Sequence, residues 1–220
     1  MISPVIAQLI KKDLSLHLRF VPVVVVAGVI SLAAAAIDGI ISSVMYITTL
    51  VAFGLLIGMY NVAQERDKQI HLFMLSLPVT ALQYTLSKTL SSLLCFLLPW
   101  TILTAMTVVA ILAIDAVPDG LLPFTLLMQL YFVANFCVFL AVVLTTSSEK
   151  VVISTIIITN MSITLIINLL SRLPAIAQTM ETDVILWSPA IVAILLAELA
   201  LCVVPLLLAV AMQNKKLDVY

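Results

Sequence analysis

Between Phe20 and Gln64 the chain carries a single charged residue, Asp38. Hydrocarbon offers no partner to a bare N–H or C=O, so a run this long and apolar is restricted to helices that close their own backbone hydrogen bonds and cross a bilayer in about 20 residues. The Asp38-Gly39 step divides the run into 20–37 and 41–62. As one helix it would reach about 60 Å at about 1.5 Å per residue, twice the bilayer core, so a tight helical hairpin is expected.

The same criterion finds four further spans, at 86–114, 121–144, 151–170 and 187–212. Composition agrees, since 64% hydrophobic against 10% charged residues is more apolar surface than a soluble chain of 220 residues could bury. The expected fold is therefore all-α: a polytopic membrane protein of six transmembrane helices. No Pro/Gly/Ser linker, low-complexity tract or short repeat divides it, so residues 1–220 are read as one domain. The first run exceeds a typical signal-peptide core, and it is read as a retained span. Cys95, Cys137 and Cys202 all fall inside spans, where they serve as small apolar residues and not as a disulfide framework. Pro99 and Pro205 are expected to kink spans three and six, and Trp187 to anchor the outer interface.

Lys and Arg stay on the cytoplasmic side during insertion. Lys11, Lys12 and Arg19 precede span one, Arg66, Lys68 and Lys88 lie between spans two and three, Lys150 between four and five, and Lys215 and Lys216 follow six. Of the 10 basic residues only Arg172 falls on the other side, where Asp38, Asp115, Asp119, Glu181 and Asp183 gather. Both termini are therefore expected in the cytoplasm. A net charge of -1 gives no reason to expect nucleic-acid binding. In residues 1–19, Ile2, Val5, Ile6, Leu9, Ile10, Leu14 and Leu18 fall near one helical face with Lys11, Lys12 and Arg19 off it. That pattern predicts an interfacial helix on the inner leaflet.

One long stretch mixes charges with apolar residues: "ERDKQIHLFMLSLPVTALQYTLSK", residues 65–88. Ile70, Phe73, Met74 and Leu77 recur at i, i+3, i+4 and i+7, one face of a short helix. Pro78 ends that helix by disfavouring helical geometry at Leu77, and Thr80 with Gln83 forms a capping box that starts the next. Periodicity leaves two readings open: a loop lying on the lipid surface, or a helix whose apolar face docks on another protein.

The same stretch, extended to "ERDKQIHLFMLSLPVTALQYTLSKTLSSLL", resembles the E-R/K…L-x-L-P-V-[ST]-x-x-x-[IY]-x-x-[SG]-K segment of bacterial ABC-2 type permeases. The matching positions are Glu65, Arg66, Leu75, Leu77, Pro78, Val79, Thr80, Ser87 and Lys88. The resemblance implies that segment 65–80 is a cytoplasmic coupling helix docked on a separate ATPase, through Glu65, Arg66, Ile70, Phe73, Met74, Leu77 and Pro78. It further implies two cytoplasmic ABC ATPase subunits that bind ATP and Mg, and a second permease, identical or similar. The location implied is the inner membrane of a bacterium. This chain has no G-x-x-x-x-G-K-[ST] loop, no H-E-x-x-H and no G-x-S-x-G, and no cofactor of its own is expected.

Polarity inside the spans marks the remaining candidates. Asn160, Thr164 and Asn168 recur every four residues in span five, as helix-packing glue or as a pathway lining. In the resembled family, spans two and five line the route between two permeases. Glu198 sits near the middle of span six, where a carboxylate either hydrogen-bonds a neighbouring helix while protonated or serves a substrate or proton. The expected function is a permease subunit of an ATP-binding-cassette exporter, whose small outer loops and apolar core suit lipids, peptides or amphipathic drugs. The alternatives are a proton-coupled secondary transporter using Glu198 and a non-transporting membrane scaffold.

Overall fold

The computed structural model describes residues 4–63, 81–115, 117–146, 148–180 and 182–217, and within them no strand occurs. Helices α1 (Pro4–His17), α2 (Val21–Ala33), α3 (Gly39–Gly58), α4 (Ala81–Ala113), α5 (Leu122–Thr145), α6 (Glu149–Arg172), α7 (Pro174–Ala177) and α8 (Pro189–Leu217) follow in chain order. Six of the described segments are long and apolar enough to cross a membrane, in agreement with the sequence reading. The first of them, Ile6–Ala36, includes most of α1.

No loop separates α1 from α2. A 3-10 turn, Leu18–Phe20, joins them, closed by the Val21 N–H donating to the Leu18 carbonyl. Pro22 accounts for the tightening: it has no N–H to offer the carbonyl four residues back, and its ring crowds that carbonyl. The hairpin expected at Asp38 is present. Asp38 is extended at φ -156°, and its Oδ1 accepts from the Ile40 N–H at 2.7 Å and the Ile41 N–H at 3.0 Å, capping α3. Ser42 Oγ then donates to the Ser31 carbonyl at 2.8 Å, fastening the two arms.

Helix α5 is the centre of the bundle. Burial reaches 72% of its membrane window, against 33% or less for the other five. It packs against α3, α4, α6 and α8, and its phenyl rings fill the middle: Phe96 of α4 stacks on Phe136 of α5 with ring centroids 4.2 Å apart. Gly58 makes room for this core, because a Cβ there would overlap the Phe139 ring. A polar girdle ties the same helices at mid-span. Gln129 Nε2 donates to the Tyr46 hydroxyl at 2.6 Å, and Trp100 Nε1 donates to the Gln129 carbonyl at 2.9 Å. In hydrocarbon such bonds hold helices together because water cannot replace them.

Pro99 and Pro205 both lie inside continuous helices. Cys95, Cys137 and Cys202 are free thiols, the last two on the neighbouring helices α5 and α8. The loop after α6 holds one element that periodicity did not predict, the single turn α7. It carries the buried Ile176 and leads to Thr182, whose carbonyl accepts from the Gly120 N–H at 2.8 Å. Backbone meets backbone here, so a Cβ on Gly120 would strike the carbonyl oxygens of Thr179 and Thr182.

Candidate functional site

Three polar side chains from three separate segments converge at the basic end of the bundle. Asp13 lies on α1, Asn61 on a π-helical turn, Met59–Ala63, that closes α3, and Lys88 on the first turns of α4. Each is 2% exposed. Helix α4 is 33 residues long, about 50 Å at about 1.5 Å per residue, so its foot extends well past a hydrocarbon core of about 30 Å. That foot is polar on one face, with Lys88, Ser91 and Ser92 at i, i+3 and i+4.

The bonding at this knot is dense. Lys88 Nζ donates to Asp13 Oδ2 at 2.8 Å and to Asn61 Oδ1 at 3.1 Å. Ser91 Oγ donates to Asp13 Oδ2 at 3.1 Å, while Asn61 Nδ2 reaches the Ser91 and Ser92 hydroxyls at 3.1 and 2.8 Å. A buried ion pair is tolerated when its remaining donors and acceptors are met, and here the Asn61 amide meets the ammonium and the Ser91 hydroxyl the carboxylate. The π-helical turn matters to this geometry. One widened turn shifts the phase of the helix end, and Asn61 is buried within the bundle beside Tyr60, which is exposed.

The knot brackets the segment singled out as the coupling helix. Asn61 lies just before the described chain stops at Ala63, and Lys88 lies soon after it resumes at Ala81. Glu65, Arg66, Ile70, Phe73, Met74, Leu77 and Pro78, with the cap at Thr80, lie outside the described residues. Sequence reasoning took Lys88 as a topogenic charge and a motif position, and missed Asp13 and Asn61. A signal for Asp13 was present. It is i+7 from Ile6 and i+3 from Ile10, so it falls on the apolar face of α1, where an acid needs a partner. Part of that face covers the foot of α4, with Ile6 buried.

The span-five candidates occupy a different surface. Asn160, Thr164 and Asn168 are exposed on α6, the least covered span, with 11% of its window buried. Asn160 and Asn168 each spend an N–H on their own helix, donating at 2.8 Å to the carbonyls of Ile156 and Thr164. Thr164 and Asn168 line an open groove of about 680 Å³ with Met161, Leu165, Leu169 and Arg172. Asn160 and Thr159 instead border a cavity of about 30 Å³ walled by Phe96, Phe132 and Phe139, into which Asn135 also faces. Asn135 Nδ2 has no partner among the described residues, and the cavity is roomy enough for a water.

Glu198 stands apart from the stripe. It is 4% exposed on α8, which packs chiefly on α5, and its Oε2 has no hydrogen-bond partner among the described residues. Among the described residues no group of three or more His, Cys, Asp or Glu is gathered to hold a metal ion.

No curated protein and no solved structure matches this chain. The profile of a family described as ABC-2 family transporter protein matches residues 20–209, from the start of span one almost to the end of span six. With six membrane-length helices in place and that profile covering most of its length, the chain belongs to the ABC-2 transporter family, as a membrane permease that associates with an ABC ATPase subunit.

Proposed function

We propose that the protein is the permease of an ABC exporter in a bacterial inner membrane, with both termini in the cytoplasm. The observation that carries this reading is the Asp13–Asn61–Lys88 knot at the two ends of segment 65–80. A helix that docks on an ATPase does mechanical work only if its ends are held to the spans it must move. Rigid attachment of this kind gives a push on Ile70, Phe73, Met74 and Leu77 a route into α3 and α4, with Pro78 as the break between lever and foot. Glu65 and Arg66 supply the charged contacts beside that apolar face. Two cytoplasmic ATPase subunits hold ATP and Mg, and the chain's own role is non-catalytic.

The exposed polar face of α6 supports a second permease, identical or similar. Amide and hydroxyl groups at membrane depth are stable against protein or water and costly against lipid. Two such faces in opposition place Asn160, Thr164 and Asn168 along a path between permeases, which suits an amphipathic cargo such as a lipid, a peptide or a drug-like molecule.

Reconstitution with a partner ABC ATPase tests the proposal. Replacing Phe73 and Met74 with charged residues is expected to abolish ATPase association and outward transport while the permease still inserts. Normal association and transport in that variant would sink the docking reading. The buried, incompletely bonded Glu198 favours a second reading, proton-coupled transport. It requires flux that collapses with the proton gradient and in Glu198→Gln, and that persists without any ATPase.

A further inference from the structure

A cleft of about 490 Å³ opens where α1 turns into α2 beside the last turns of α3, within the size range of sites that hold a discrete small molecule. Its wall is of mixed character. Asp13, His17, Arg19, Tyr60 and Asn61 give it polar groups, and Phe20, Val23, Phe53 and Leu56 give it a hydrocarbon face. Phe20, Val23, Leu56 and Tyr60 are all more than half exposed, so the cleft opens sideways, toward the acyl chains of a bilayer.

The arginine on its wall is held in place. Arg19 Nε donates to the Leu16 carbonyl at 2.8 Å, and the guanidinium stands 5.7 Å from the centre of the Phe20 ring. The acid on the cleft wall, Asp13, is engaged by Lys88 at 2.8 Å and is buried. Arg19 also sits where the basic segment meets the first apolar run, the depth of a headgroup phosphate. A fixed guanidinium at headgroup depth, above an apolar slot open to the bilayer, matches one chemistry: a phosphate ester carrying acyl chains.

The geometry points to a binding site for one anionic phospholipid of the leaflet on the basic side, its phosphate on Arg19 and one chain in the slot between α2 and α3. Asp13 and Asn61 form the inner wall of the same cleft, so the lipid packs against the polar knot and braces α1 on α3. The inference needs only the membrane orientation and is independent of ATPase docking.

Nanodiscs of phosphatidylcholine with graded phosphatidylglycerol, containing the full chain, test it by thermal unfolding and by native mass spectrometry after detergent release. One retained phosphatidylglycerol per chain is expected, with a midpoint that rises with phosphatidylglycerol content. Arg19→Gln should weaken retention roughly tenfold, the worth of a charge-assisted bond, and Leu56→Trp should block it with Arg19 intact. Arg172→Gln, on the opposite side, should leave it unchanged. Should Arg19→Gln fail to insert, Leu56→Trp decides the matter. Equal retention of phosphatidylcholine, an equal rise with inorganic phosphate alone, or retention that survives Leu56→Trp would overturn the assignment.

Discussion

The Asp13–Lys88 pair can be weighed by a double-mutant cycle. Lys88→Met leaves the Asp13 carboxylate, 2% exposed, with the Ser91 hydroxyl and only the half-exposed Lys12 ammonium 3.9 Å away in place of its buried cation. Asp13→Leu leaves a buried ammonium with Asn61 Oδ1 at 3.1 Å. An uncompensated buried charge of this kind costs about 3–5 kcal/mol, so independent sites would together lose about 6–10 kcal/mol. The double variant carries no buried charge. What it loses is a partner for Asn61 Oδ1 and one for Ser91, about 1–3 kcal/mol. It should therefore be more stable than either single variant, with a coupling of about 3 kcal/mol or more. Reversible unfolding in mixed micelles under a denaturing-detergent titration gives the four free energies. Additive losses would show that the two side chains do not meet in the membrane-embedded protein. The double variant also separates stability from coupling: it should fold well and still lose ATP-driven transport, because the charged link between α1 and α4 is gone.

Other outcomes follow from the packing. Gly120→Ala should destabilise by about 1–3 kcal/mol, since the carbonyls of Thr179 and Thr182 are backbone and cannot swing aside; a thermal melt beside Gly39→Ala, where a Cβ meets nothing, measures it. In a Cys95→Ser background, mild oxidation should join Cys137 to Cys202 within one chain and protect both from a maleimide probe, because α8 packs chiefly on α5 and brings the two thiols near each other. Continued labelling of both would contradict the packing of α5 on α8. Thr164→Cys should cross-link between two copies in native membranes, and Ile111→Cys, buried on α4, should not. The reverse pattern would remove α6 as the contact between permeases.

The parts of the fold legible in the sequence are those set by the bilayer. Apolar length placed six spans, and the acid at Asp38 marked the hairpin because an N-cap works through residues two and three positions away. The knot was harder to see because its partners are 75 positions apart and join through tertiary packing. Asp13 lay on an apolar helical face, yet nothing local named Lys88 as its partner, and the π-helical turn that positions Asn61 has no periodicity of its own. The tight approach at Gly120 was hidden for the same reason, since the carbonyls it meets come from a loop some 60 positions on. The span-five stripe was visible as polarity, but which way it faced needed the bundle: α5 takes the centre and leaves Asn160, Thr164 and Asn168 outward.

The central claim is that segment 65–80 transmits force from an ATPase to α3 and α4. A photo-reactive phenylalanine analogue at Phe73, in the permease co-expressed with a partner ABC ATPase, tests it most directly. Illumination should capture the ATPase subunit at Phe73, more weakly when ATP is withheld, and should not capture it from Val109 on the exposed membrane face of α4. Capture of lipid alone at Phe73, with ATPase-dependent transport intact, would contradict the account.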